Sequence, residues 1–275
     1  MLSIYSGKFI VSFDRPRIVG ILNITPDSFS DGGKFFTADA AIARARAMIA
    51  EGADMIDMGA ESTRPGSERI SAAEELRRIL PVLDVLAKEL LVPISIDTMK
   101  PEVAEECLKR RAHIINDVSG LRDPAMRAVA GRHRAPVIIM HMQGTPETMQ
   151  INPQYENVIE EIIAHLKQQA ALAKEAGIEQ IIIDPGIGFG KTVQHNLAIL
   201  AHLGEFRRLG YPVMIGVSRK SFLQKITGTG AGNVAEATVA AEAIAGYNGA
   251  DIIRTHDVAG ARRSIAIAEA IRNAG

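Results

Sequence analysis

The sequence predicts a (β/α)8 barrel, and three observations carry that prediction. Short apolar runs alternate with longer segments of helical period, a pattern that implies parallel strands joined by right-handed crossovers. Roughly eight such units follow Ile18, which is the size of one barrel. Strand after strand then ends in a polar or charged side chain, as strands do where their C-terminal ends share a mouth. A doubly wound open sheet is the alternative, because periodicity alone does not show closure.

The elements follow in order. Residues 1–17 form a short leader, expected to pack on a single barrel domain of residues 18–275. The strand runs are IVGIL from Ile18, MIDM from Met55, PISI from Pro93, HII from His113, PVIIM from Pro136, QIIID from Gln180, PVMIG from Pro212 and DIIR from Asp251. Between them, Ile42, Ala45, Met48 and Ile49 mark one apolar helix face, and Val158, Ile159, Ile162, Ile163 and Leu166 another. Glycines in EGAD, EAGI and YNGAD stand where a left-handed C-cap stops a helix before the next strand.

Composition narrows the function classes. Thirty-one basic residues against 32 acidic ones leave a net charge of -1 with no run of one sign, so nothing points to nucleic acid or to a membrane surface. The lone Cys107 has no internal partner for a disulfide, and Val103, Ala104 and Leu108 at helical spacing mark it as a packing residue. No apolar stretch reaches the length of a membrane span, and the N-terminus lacks a secretion signal, so a cytoplasmic location is expected.

The strand-end residues are Asn23, the segment Glu61 to Arg64, Asp97, Asn116 and Asp117, Asp184, the run Ser218 to Ser221, and Arg254 with His256. Each buried polar group needs a partner or a ligand, because burial without one costs several kcal/mol. Helix capping is the reading preferred for Asp117 and Asp257. Acids and amides in the middle strands suit a hydrogen-bonding heterocycle, whereas Arg64, Arg254 and His256 suit an anion. DPGIGFGKT is not a nucleotide phosphate loop, because Pro185 stands where that motif needs its first Gly. His113 and His141 have no neighbours at zinc-ligand spacing.

The motifs GILNITPDSFSDGG, DMGAESTRPG, SIDT, NDVSG, HMQG, DPGIGFGK, SRKS and RTHD occur in this order. In them, from about Gly20 to the C-terminal helix, the chain resembles the bacterial dihydropteroate synthases, a family of pterin-binding barrels. The resemblance implies that p-aminobenzoate displaces diphosphate from 6-hydroxymethyl-7,8-dihydropterin diphosphate, giving 7,8-dihydropteroate. It implies a pterin pocket of Asp97, Asn116, Val118, Met140, Asp184, Lys220 and Arg254. It places diphosphate with Mg²⁺ on Asn23, Thr63, Arg64, Arg254 and His256, with Asn23 touching the metal, and p-aminobenzoate on Thr63, Arg64, Pro65, Phe189, Lys220 and Ser221. Asp31, Lys220 and Arg254 take the catalytic roles, in a dissociative route where diphosphate leaves before the amine attacks.

By the same resemblance, loops 25–34 and 63–66 close over the diphosphate, and the protein is a homodimer. For Asp27, Ser28 and Ser30 a plain loop-shaping role stands beside the functional one. Two other readings are an impaired relative that keeps only pterin binding, and a methyltetrahydrofolate-binding methyltransferase barrel. The diphosphate motifs argue against the second.

Overall fold

Eight parallel strands form one sheet whose order runs β8, β7, β6, β5, β4, β3, β10, β9. In chain order the barrel strands are β3 (Arg17–Asn23), β4 (Met55–Gly59), β5 (Ile94–Asp97), β6 (Ile114–Asp117), β7 (Val137–Met140), β8 (Ile181–Asp184), β9 (Met214–Ile215) and β10 (Ile252–Thr255). A parallel bridge between Ile183 and Val213, with the Ile183 N–H donating to the Pro212 carbonyl at 2.9 Å, joins the two ends of that order. The ring is therefore nearly closed, which decides against the open sheet. This computed structural model describes residues 3–25, 38–62, 69–229 and 234–274.

Helices alternate with the strands: α1 (Ala38–Ala50), α2 (Ala72–Glu89), α3 (Pro101–Lys109), α4 (Pro124–His133), α5 (Val158–Glu175), α6 (Val193–Ala201), α7 (Ser221–Thr227), α8 (Ala235–Tyr247) and α9 (Val258–Ala274). Their starts follow from local chemistry. The Ser71 hydroxyl accepts from the Glu74 N–H at 3.2 Å, and Asn157 accepts from the N–H groups of Ile159 and Glu160. Thr192 and His195 satisfy each other's backbone donors in a capping box. The expected stops are also present, since Gly52, Gly177 and Gly249 have φ of +100°, +83° and +106°.

Alternation along the strands builds two layers inside the ring. Val19, Met55, Ile114, Ile138, Ile182, Met214 and Ile252 cluster together as the lower inward layer. Two residues further along the same strands come Asp57, Asn116, Met140, Asp184, Gly216 and Arg254, because side chains repeat every second position. Residues of the opposite parity, such as Ile56, Ile115, Ile139, Ile183 and Ile253, join the larger core beneath the helices. One barrel thus has an apolar lower layer and a polar upper one.

The leader is a β-hairpin, β1 (Ser3–Ser6) and β2 (Phe9–Ser12). Gly7, at φ +57°, supplies the positive φ its tight turn needs. Ile4 and Val11 complete the lower apolar layer, so the hairpin plugs the end of the barrel opposite the polar layer. Ser6 Oγ donates to the His113 carbonyl at 2.6 Å, and Gln180 exchanges hydrogen bonds with the Tyr5 backbone.

Candidate active site

The polar layer is organised around a residue the sequence reading did not single out. Asp57, on β4, is fully buried. Its Oδ2 accepts from Arg254 Nε at 2.6 Å and from Asn116 Nδ2 at 2.9 Å, while Oδ1 accepts from the Ser95 hydroxyl. Arg254 reaches across the barrel from β10, and its second nitrogen donates to Asp97 Oδ2 at 2.7 Å. Burial works against the guanidinium charge, but Asp57 and Asp97 outweigh it and hold Arg254 protonated.

Asp97 ends β5, with one carboxylate oxygen on Arg254 and the other, Oδ1, buried without a partner. Burial pushes its pKa up to about 7, Arg254 opposes that rise, and the neighbouring charges of Asp57, Glu75 and Asp117 add to it. Asp184 ends β8, where its Oδ1 accepts from the Gly186 N–H at 2.7 Å. Burial raises its pKa too, against that hydrogen bond and the cations Lys220, Arg254 and Lys191. These two carboxylates and the Asn116 amide form the floor of the mouth.

One wall of the mouth is apolar. Val118, Met140, Met142 and Met149 cluster together, with Met99 and Phe189 packed against them. Thioether side chains conform readily to a flat ring. Lys220 extends over Phe189, its Nζ 4.0 Å from the ring centroid, and precedes Ser221 at the start of α7. At the rim, Asn23 Nδ2 lies 3.4 Å from His256 Nε2, and His256 Nδ1 is 3.0 Å from the buried Ser218 hydroxyl. The structure therefore brings Asn23, Asp97, Asn116, Val118, Met140, Asp184, Phe189, Lys220, Ser221, Arg254 and His256 to the same end of the barrel. Asp27, Ser28, Ser30, Asp31, Thr63, Arg64 and Pro65, with most of the two expected closing loops, lie outside the described residues.

One capping expectation is corrected. Asp117 does not cap a helix: its carboxylate accepts from the N–H groups of Ser119 and Leu121, shaping the turn after β6, and Asp123 caps α4 through the Ala125 N–H. The reason is distance along the chain, since α4 begins only at Pro124. Asp257 does cap, accepting from the Gly260 N–H at 2.9 Å as α9 begins. Among the described residues no cluster of His, Cys, Asp and Glu forms a metal cage.

Comparison with known proteins gives the same picture over the whole chain. The family model described as pterin binding enzyme matches residues 19–256. The dihydropteroate synthase of Synechocystis is 45% identical over 270 residues, covering 94% of this chain and 90% of that protein. The crystal structure of the Yersinia pestis dihydropteroate synthase in a sulfonamide drug complex is 39% identical with a TM-score of 0.94, covering 99% of this chain and 100% of that one. The Xanthomonas albilineans dihydropteroate synthase with 4-aminobenzoic acid is 41% identical with a TM-score of 0.90, covering 96% and 95%.

Proposed function

The chain belongs to the pterin-binding enzyme family, and from that premise we infer that it is the transferase that condenses 6-hydroxymethyl-7,8-dihydropterin diphosphate with p-aminobenzoate in folate biosynthesis. The observation that carries this reading within the site is the unpartnered Asp97 Oδ1, a buried acceptor at the end of the barrel that also holds the buried Asp184 carboxylate and Asn116 amide. A pterin edge offers the adjacent N–H donors that such a floor lacks. Leaving the acceptor unpaired costs about 1 to 3 kcal/mol, which a ring donor recovers.

In this reading Asp184 takes the paired donors of the amino-pyrimidinone, Asn116 and Asp97 the other ring nitrogens, and Lys220 the carbonyl side. Val118 and Met140 pack on the ring, and Arg254 stacks on it while its charge faces the diphosphate. The bond between the exocyclic methylene carbon and the diphosphate oxygen breaks first, with the electron pair leaving on diphosphate. Asn23, His256 and Arg254, with Thr63 and Arg64, receive that anion. The amine nitrogen of p-aminobenzoate then bonds to the carbon and loses a proton. By the resemblance, Pro65 and Phe189 hold its ring, Lys220 and Ser221 contact it, and Asp31 takes the role of supplying negative charge for the cation.

Mg²⁺ fits the residues at the rim. Asn23 offers one hard amide oxygen beside His256, and this ion takes few protein ligands when phosphate oxygens and water supply the rest. Bound there, it would neutralise charge on the leaving diphosphate. The partner is a second copy of the chain. On α8, Ile244 and Tyr247, and on α9, Ile267 and Ile271, are exposed beside a groove lined by Val239, Ala240 and Ala243. Among the described residues no helix is long and apolar enough to cross a membrane, and a cytoplasmic location suits the substrates. Residues 18–275 act as one catalytic unit with residues 1–17 as its plug.

The test is turnover. Protein mixed with the pterin diphosphate, p-aminobenzoate and Mg²⁺ should release dihydropteroate and diphosphate in equal amounts, and a chelator should suppress both. Pterin binding without product would favour the impaired-relative reading.

A further inference from the structure

Beneath the pterin end of the mouth lies a buried cation that the reading above does not use. Lys191 follows the turn after β8 and is 4% exposed. Its Nζ donates to His141 Nδ1 at 3.0 Å, to the Phe189 carbonyl at 2.9 Å and to the His141 carbonyl at 3.4 Å. Three ammonium protons thus meet three acceptors, and every one of the three is neutral. Because His141 accepts through Nδ1, its ring is the neutral tautomer protonated at Nε2. Burial and the adjacent Lys191 pull the pKa of that ring to about 2, which keeps it so.

An ammonium held only by neutral groups keeps its field for charges further away. The carboxylate acting on Lys191 is Asp184, and Lys220 is the cation opposing it. Asp184 in turn is acted on by the charges of Lys220, Arg254 and Lys191, and His141, which accepts from Lys191, donates its backbone N–H to the Asp184 carbonyl at 2.9 Å. His141 also meets His165 of α5, with ring centroids 4.9 Å apart, and the charge of Arg122 acts on the same ring.

The backbone around Lys191 is also tightly fitted. An added Cβ on Gly186 would fall 1.9 Å from the His141 carbonyl oxygen, and one on Gly190 would fall 2.7 Å from that of Gln143. The 186–190 turn therefore lies flat against the chain leaving β7, and Lys191 is a polar tie between them.

We propose that Lys191 is a positioning residue for pterin recognition: its charge keeps Asp184 an ionised acceptor, and its hydrogen bonds hold the turn bearing Phe189 against the end of β7. This rests on the assignment of Asp184 to the pterin edge. Burial draws Lys191 itself down to about 7, so its charge on the free protein is sensitive to pH, and an ionised Asp184 favours it. The two groups support each other's charged forms.

The experiment compares Lys191→Met and Lys191→Arg with the unaltered protein. The Asp184 carboxyl is followed by NMR in protein carrying carboxyl-labelled aspartate, its signal assigned by Asp184→Asn, and pterin diphosphate affinity is measured by calorimetry. Removing the charge should raise the titration midpoint of Asp184 by at least about one pH unit, since a unit charge within about 12 Å shifts a pKa by that much at an effective dielectric near 20. Affinity should fall about tenfold at pH values below the original midpoint, where the ionised fraction drops in proportion to the shift, and Lys191→Arg should keep the original midpoint. If Lys191→Met does not fold, Lys191→Gln, which retains a donor, should show the same shift.

An unmoved midpoint, with only thermal stability reduced, would overturn the inference and leave Lys191 a structural brace. Wild-type affinity in Asp184→Asn would instead overturn the pterin assignment, and this inference with it.

Discussion

Replacing Asp57 by Ala should damage both the fold and the site, and the geometry sets the scale. The substitution strips a fully buried carboxylate from three donors: Arg254 Nε at 2.6 Å, Asn116 Nδ2 at 2.9 Å and the Ser95 hydroxyl. Breaking one side of a buried ion pair costs about 3 to 5 kcal/mol, because the surviving charge stays desolvated. Arg254 keeps its bond to Asp97, so the lower half of that range is the better expectation, about 3 to 4 kcal/mol. For a chain of this size that corresponds to a melting temperature lower by about 5 to 7 °C. Arg254 then pivots on Asp97 alone and no longer presents a fixed face to the pterin, so kcat/KM for the pterin diphosphate should drop about a hundredfold, or about 2.7 kcal/mol. Urea unfolding and steady-state kinetics read the two effects separately. A double-mutant cycle with Arg254→Met isolates the shared part, which should exceed about 1 kcal/mol. Stability within about 0.5 kcal/mol of wild type together with an unchanged KM would refute the reasoning.

Two further outcomes follow from the same geometry. Asp97, with its pKa raised to about 7, is protonated below that value and ionised above it. Pterin donors need the ionised form, so pterin diphosphate affinity should weaken as pH falls through about 7, and binding just below it should release a proton. Calorimetry in two buffers of different ionisation enthalpy measures this, and a flat profile across neutrality would contradict it. Ile244→Glu combined with Ile267→Glu places charges on the exposed α8 and α9 face, and sedimentation should then show monomer where the unaltered protein shows dimer. A wild-type monomer at micromolar concentration would remove this face from the account.

Much of this barrel was readable because each strand is a short apolar run with a polar end. All eight runs became strands, and helix faces such as Ile42, Ala45 and Met48 are buried as their spacing requires. Asp57 escaped notice because it sits inside such a run, MIDM, where strand parity decides which side it faces. Aligning the strands by period two would have found it, since Asp57, Asn116 and Asp184 each follow an inward apolar residue by two positions. The hairpin carried a weaker signal, a Gly-Lys turn between four-residue strands with one inward apolar position each, Ile4 and Val11. Lys191 and His141 lie 50 positions apart, and only the contact between β7 and β8 pairs them. Asp117 was misread because local sequence permits either a helix cap or a turn, and the distance to α4 settles it.

The most direct test of the central claim is a crystal structure of the protein with the pterin diphosphate bound. The account predicts the ring against Val118 and Met140, its paired donors on Asp184, and a ring nitrogen donating to Asp97 Oδ1, the acceptor left unpaired without ligand. The diphosphate should lie at the Asn23 and His256 rim. A ring bound elsewhere, or one that leaves Asp97 Oδ1 still unpaired in the occupied site, would contradict it.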